Sequence, residues 1–215
     1  MKPFVKIMGD VITDVSDNIL SQIQAAQLAI KIAGILAADP GADISGITSD
    51  IKSITYKYGT YGEIEKYIKQ RQANPGTIDE DTGAPTGTGG KYDLMPLLAL
   101  FMPFAEDRSG NGGYLYSTTF SIGIFYFADT NPDTDSMQRY NNIFEPILLP
   151  IYEQLKKSIV QSSAFAIMDE RELKHTKIDL PFGTNDDGNG NKNIFSELLD
   201  AVNVNSITLT VIDTD

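Results

Sequence analysis

The chain has 215 residues, 41% of them hydrophobic, with 29 acidic against 17 basic side chains, no cysteine and a net charge of −12. That charge excludes a nucleic-acid surface that works by neutralising phosphates, and the missing cysteines exclude disulfides, thiol nucleophiles and thiolate metal sites. The length fits one domain with a sizeable core; no signal-like apolar region follows Met1-Lys2-Pro3-Phe4 and no uninterrupted apolar run reaches spanning length, so the expectation is an unsecreted chain with no membrane partner.

Over residues 11–37 the apolar side chains Ile12, Val15, Ile19, Ile23, Ala26, Ile30 and Ala33 recur at three and four, which predicts a helix. Asp10 is the expected N-cap, and Asp39-Pro40-Gly41 is the stop. A second stripe, Leu20, Leu28, Ile32 and Ile35, widens the apolar surface enough for two neighbours, one of which can be another subunit. A strand is expected near 52–58, where β-branched and aromatic residues dominate. Gly59 and Gly62 then frame a turn, and 63–72 reads as a short helix with Ile64, Tyr67, Ile68 and Arg71 along one side. Residues 74–90, rich in Gly, Thr and Pro, read as a long flexible loop.

Residues 94–128 read as a projecting β-hairpin turning at 107–113. Pro96 and Pro103 belong at edge or bulge positions, because proline cannot donate to a sheet ladder. In its second strand, 114–128, Tyr116, Thr118, Phe120, Ile122, Ile124 and Tyr126 share one face, and Gly123 is the expected bulge. Such a strand would extend about 50 Å, against a radius of gyration of about 17 Å for a compact chain of this size. The following helix buries Met137, Tyr140, Phe144, Ile147, Ile151, Leu155 and Ile159, with a kink or two abutting helices expected at Pro146 and Pro150. A helix-to-strand passage at 164–167, a charged stretch at 169–177, a turn-rich stretch at 180–191, a short helix at 195–201 and a final strand at 204–212 complete the pattern. The expected fold is one α+β domain over 1–215, a mostly antiparallel sheet with a long hairpin and helices packed on one face.

No motif supplies a reaction. Gly90-Lys91 ends like a phosphate-binding loop, but Pro85 and Tyr92 stand where that motif needs glycine and a hydroxyl residue. The oxygen-bearing runs Asp129, Asn131, Asp133, Asp135 and Asn185, Asp187, Asn189, Gly190 resemble the start of a calcium loop. The first lacks the turn glycine and has Tyr140 at the closing position; in the second Glu197 comes one residue late. Helix capping by Asp133 or Asp135 explains the first run more simply. His175, the only histidine, sits in a charged stretch that reads as solvated, and Glu63, Glu65, Glu170 and Glu172 read as helix surface. Tyr114, Tyr116 and Tyr126 read as sheet packing. No catalytic, cofactor-binding or metal residue is assigned.

Several segments carry a resemblance. They are Tyr58-Gly59 to Glu63-Ile64, Lys91-Tyr92-Asp93-Leu94-Met95-Pro96-Leu97, Pro181-Phe182-Gly183 and Phe195-Ser196-Glu197-Leu198-Leu199-Asp200-Ala201-Val202. The most specific is Arg139-Tyr140-Asn141-Asn142-Ile143-Phe144-Glu145-Pro146-Ile147-Leu148-Leu149-Pro150-Ile151-Tyr152. Together they resemble the head-to-tail connector and tail-completion proteins of tailed bacteriophages, especially those of crAss-like phages and Bacteroidetes prophages. The likeness spans most of the chain from Tyr58 onward.

The resemblance implies a non-enzymatic virion neck protein with a tail-terminator-like α+β fold. Such a protein assembles in the bacterial host cytoplasm as a homo-oligomeric ring around the DNA channel. Its expected partners are portal, adaptor or tail neighbours and DNA that passes without specific binding; the acidic charge suits a lumen that must not grip a duplex. The alternatives are a small ligand-binding or hydrolytic module and a calcium-stabilised adhesion or fibre module.

Overall fold

The computed structural model describes residues 3–73, 77–78, 85–86, 94–108, 115–128, 135–180 and 199–212. The apolar spacing near the start of the chain forms one 35-residue helix, α1 (Phe4–Ala38). It starts earlier than the sequence suggests, so Asp10 lies inside the helix and is not its cap. Pro3 precedes the first turn instead, a place that suits proline because an N–H there would lack an intrahelical acceptor. The stop falls where expected: Asp39 is extended, and its amide donates to the Ile35 carbonyl at 2.8 Å.

The fold is α+β, with helices on a mixed, largely antiparallel five-stranded sheet. Its strands are β1 (Thr55–Gly59), β4 (Leu97–Asp107), β5 (Leu115–Phe127), β6 (Thr176–Leu180) and β7 (Leu199–Ile212), in the spatial order β1-β4-β5-β7-β6. Only the β1–β4 pairing is parallel. A separate two-stranded ladder, β2 (Thr77–Ile78) with β3 (Pro85–Thr86), lies within the stretch read as a flexible loop. The rest of 74–90 lies outside the described residues, as does the turn at 109–114.

The hairpin expected to project is β4–β5, and β7 pairs along the whole of its second strand. Hydrogen bonding to a third long strand explains how thirteen residues stay extended. β5 keeps its alternation throughout, while both neighbours irregularise around it at one level. β4 carries extra residues between Phe101 and Ala105, where Pro103 sits, and β7 carries one between Val204 and Ile207, where Ser206 has φ 56°. The bulge is therefore in β7 and not at Gly123. Gly123 is required for another reason: a Cβ there would lie 2.3 Å from the Phe125 ring.

Paired residues share a face, so the helices can be placed. The Tyr56 hydroxyl donates to the Val5 carbonyl at 3.1 Å, which puts α1 on one face. Lys57, one residue on, lies over the Tyr67 ring of α2 (Tyr61–Ala73), which puts α2 on the other. The helices thus cover both faces rather than one. α2 also begins two residues earlier than the sequence suggests, at a capping box in which the Thr60 amide donates to Glu63 at 2.7 Å.

On the α1 face lies a second helical rod: α3 (Ser136–Arg139), a π-helical stretch Tyr140–Leu148, and α4 (Leu149–Gln161). Pro146 falls inside the wide stretch and Pro150 in the first turn of α4. The rod neither breaks nor separates into two helices; it changes winding. Widening the turn moves the carbonyl that a proline ring would otherwise strike. The rod starts at a reciprocal cap, with the Gln138 amide donating to Asp135 at 2.7 Å and the Asp135 amide to Gln138 at 2.9 Å.

Two local expectations are overturned near the C-terminus. The charged stretch leads into an edge strand, β6, and residues 199–201 are strand rather than helix because they are buried and pair with β5, Ala201 also with β6; residues 195–198 lie outside the described residues. Tertiary pairing there outweighs a helical pattern.

Candidate interaction surface

The near half of α1 is core. Phe4, Ile7, Met8, Val11, Ile12, Val15, Ile19 and Ile23 are all buried, and Phe4 packs edge-on against Phe120 at 4.9 Å. The far half, residues 24–38, has no buried side chain, although eleven of its fifteen residues are Ala, Leu or Ile. Its polar side chains are Gln24, Gln27 and Lys31, on one side of the helix, and all three are taken by the chain as it returns. Gln24 donates to the Ile51 carbonyl (3.0 Å), Gln27 to Asp50 (3.0 Å) and Lys31 to Asp50 (2.8 Å). The surface left over is apolar and carries no free charge.

By length and composition α1 is apolar enough to cross a membrane. Counting uninterrupted apolar runs missed this, because Gln22, Gln24, Gln27 and Lys31 break them. Its near half is nevertheless committed to the core of the domain.

The contacts also fix where the far half leaves. The first turn of α1 meets Phe104 and Phe120, beyond the end of β1, whereas Gln24 meets Ile51, before its start. The far half therefore emerges at the end of the sheet opposite to Gly59. At the Gly59 end, Tyr58 (50% exposed) and Met102 (37%) are diagonal neighbours on adjacent strands, and Tyr61 (43%) stacks on Phe101 at 4.1 Å. The nearby carboxylate of Glu63 is turned into the α2 cap, and its bonds from Thr60 hold it below the usual carboxylate range.

Two polar places lie elsewhere. A cavity of about 410 Å³ between α1, the end of α4 and the ends of β5 and β7 is lined by Asp10, Asp14, Tyr116, Ser158, Gln161 and Ser162 together with apolar side chains. The second is centred on His175, which the sequence reading left solvated. It is half-buried, with Nδ1 at 2.7 Å from the Leu173 carbonyl and Nε2 at 2.6 Å from the Tyr152 hydroxyl. A carbonyl can only accept, so Nδ1 carries the proton and the Tyr152 hydroxyl donates to Nε2. Burial pushes the Tyr152 phenol up, against the pull of Lys156. Lys156 and Lys177 lie over the Tyr152 ring and are themselves paired, with Glu153 and Asp179. The cluster clamps α4 to β6.

The other sequence candidates do not converge. Glu65 pairs with Lys69, Glu170 lies 3.7 Å from Lys156, and Glu172 accepts from the Met168 amide. Tyr116 and Tyr126 are buried in the sheet, as read. Asp135 is a cap; Asp129, Asn131, Asp133, Tyr114, the 185–190 run, Glu197 and Gly90-Lys91 lie outside the described residues. Among the described residues no group of three His, Asp or Glu side chains is placed to hold a metal. The chain matches no family model and no curated protein.

Proposed function

We propose that the chain is a structural virion protein, a subunit of a homo-oligomeric ring in the neck or tail of a tailed bacteriophage, joining head to tail around the DNA channel. The observation that carries this reading is the bare far half of α1, since an extended apolar surface on a soluble domain calls for a protein partner. Three further points support it: the resemblance from Tyr58 onward, the net charge of −12, and an α+β fold of the class that the resemblance implies. Mass spectrometry of purified particles tests it; the expected result is this chain among the virion proteins, and its absence sinks the proposal. Light scattering of the protein mixed with its neck neighbours then reads the assembly step.

The cavity beside Asp14 favours one alternative, a ligand-binding module. A thermal-shift screen of small polar cations would show stabilisation that Asp14→Asn removes; no shift with any of them leaves that alternative without support.

A further inference from the structure

We propose that the far half of α1 is a docking arm whose occupant is a second copy of this chain, seated on the Tyr58–Met102 end of that copy's sheet. The inference rests on the ring reading and names its contact. Charge selects the partner. Two copies of a chain with net charge −12 repel, and residues 18–38 hold a single charge, Lys31, which Asp50 neutralises at 2.8 Å. Along this stretch a second acidic copy approaches without setting acid against acid.

Geometry selects the seat. The arm leaves at one end of the sheet; at the other, Tyr58 and Met102 are exposed on the α1 face and Tyr61, at the start of α2, on the opposite face. Tyrosine and methionine are the residue types that interface centres favour. Because arm and seat are different surfaces, the contact is head-to-tail, and such contacts close into rings when the rotation allows. The arm is about 22 Å long and about 10 Å across, which is small beside the roughly 800 Å² per partner of a stable pair. The contact is therefore weak between two copies and gains from ring closure.

The cysteine-free chain permits a direct test in the full-length protein. Ala29→Cys on the arm, Met102→Cys on the seat and Met168→Cys as an exposed control are made singly, mixed in pairs and treated with a short bismaleimide. The expected result is a mixed dimer from Ala29→Cys with Met102→Cys, above either pairing with Met168→Cys, and lost when the arm also carries Ala33→Glu. All four positions are exposed, so folding is checked by unchanged thermal melts. In the unaltered protein, amide exchange over 24–38 is expected to slow as concentration rises.

The proposal is overturned by dimers of Ala29→Cys with itself alone, by no mixed dimer above control, or by concentration-independent exchange. Flotation of the protein with phospholipid vesicles in place of a mixed dimer would also overturn it. If particles contain the chain but no mixed dimer forms, the docking arm falls and the ring reading stands. If the mixed dimer forms and particles lack the chain, the reverse holds.

Discussion

The two halves of α1 have opposite fates, and the more apolar one, with eleven apolar residues of fifteen against ten of twenty in 4–23, is the half without a buried side chain. The near half packs on β1, on Phe104 and Phe120 of the hairpin and against the second helical rod, and its stripe is sealed. The far half continues the same spacing past the end of the sheet, with Ala26, Ile30 and Ala33 in line with Ile12, Val15, Ile19 and Ile23, and none of its side chains is buried. Periodicity records that a face is meant to be covered. Which molecule covers it depends on where the sheet ends.

The sharpest way to test that contrast is to truncate one isoleucine in each half. Ile23→Ala, fully buried, is expected to cost about 2–5 kcal/mol through lost burial and a residual cavity. Ile30→Ala is expected to cost less than about 1 kcal/mol in the dilute monomer, where the side chain is half-exposed. Urea melts of the two variants measure both. Equal costs would mean that the far half is packed in the free chain and is no arm.

The core on the opposite face of the sheet, under α2, gives the next effect. Gly123→Ala forces a methyl against the Phe125 ring, whose edge in turn meets Phe101. The expected loss is about 1–3 kcal/mol from overpacking, and it should leave crosslinking at the arm unchanged once the protein is folded. If Gly123→Ala instead weakened self-association at full stability, the division between core and arm would be wrong. A smaller loss, about 1 kcal/mol, is expected for Tyr152→Phe, which removes the hydroxyl that donates to His175 on the α4–β6 clamp.

Much of the fold was legible because local signals agreed with the packing. The alternation of Tyr116, Thr118, Phe120, Ile122, Ile124 and Tyr126 is the buried face of β5, and the placing of Pro96 before β4 and Pro103 at its irregularity follows from the missing N–H. What was not legible depended on distant partners. Leu199, Asp200 and Ala201 look helical until β5 pairs with them, and Thr176–Leu180 looks like charged surface until it edges β7. His175 looked solvated because the residues that enclose it, Tyr152 above all, are far away in sequence. Of the candidate surface, the second apolar stripe was readable, and the returning chain that consumes Gln24, Gln27 and Lys31 was not. No spacing rule links position 27 to position 50.

That returning chain gives the finest test of the contrast, because among the described residues it is the segment that hydrogen-bonds to the far half. Burial alone would raise the Asp50 carboxyl, but hydrogen bonds from Lys31 and Gln27 and the charges of Lys31 and Lys52 outweigh it and hold it below the usual range. A carboxyl depressed in the folded state contributes stability above its unfolded value, about 3.9, and loses it as pH falls through the lower folded value. The tether therefore holds at neutral pH and releases only in acid. Lys31 and Asp50 are both about one-third exposed, so solvent screening keeps their contribution between about 0 and 1 kcal/mol. Asp50→Asn should leave the global melt within that range while amide exchange at Ser49, Asp50 and Ile51 speeds up at pH 7. It also frees the Lys31 charge beside the docking face and removes one acid from each copy, so the mixed Ala29→Cys and Met102→Cys dimer should strengthen at low salt and lose that gain as salt rises. An unchanged dimer at low salt in this background would mean that charge does not govern how a second acidic copy approaches the arm.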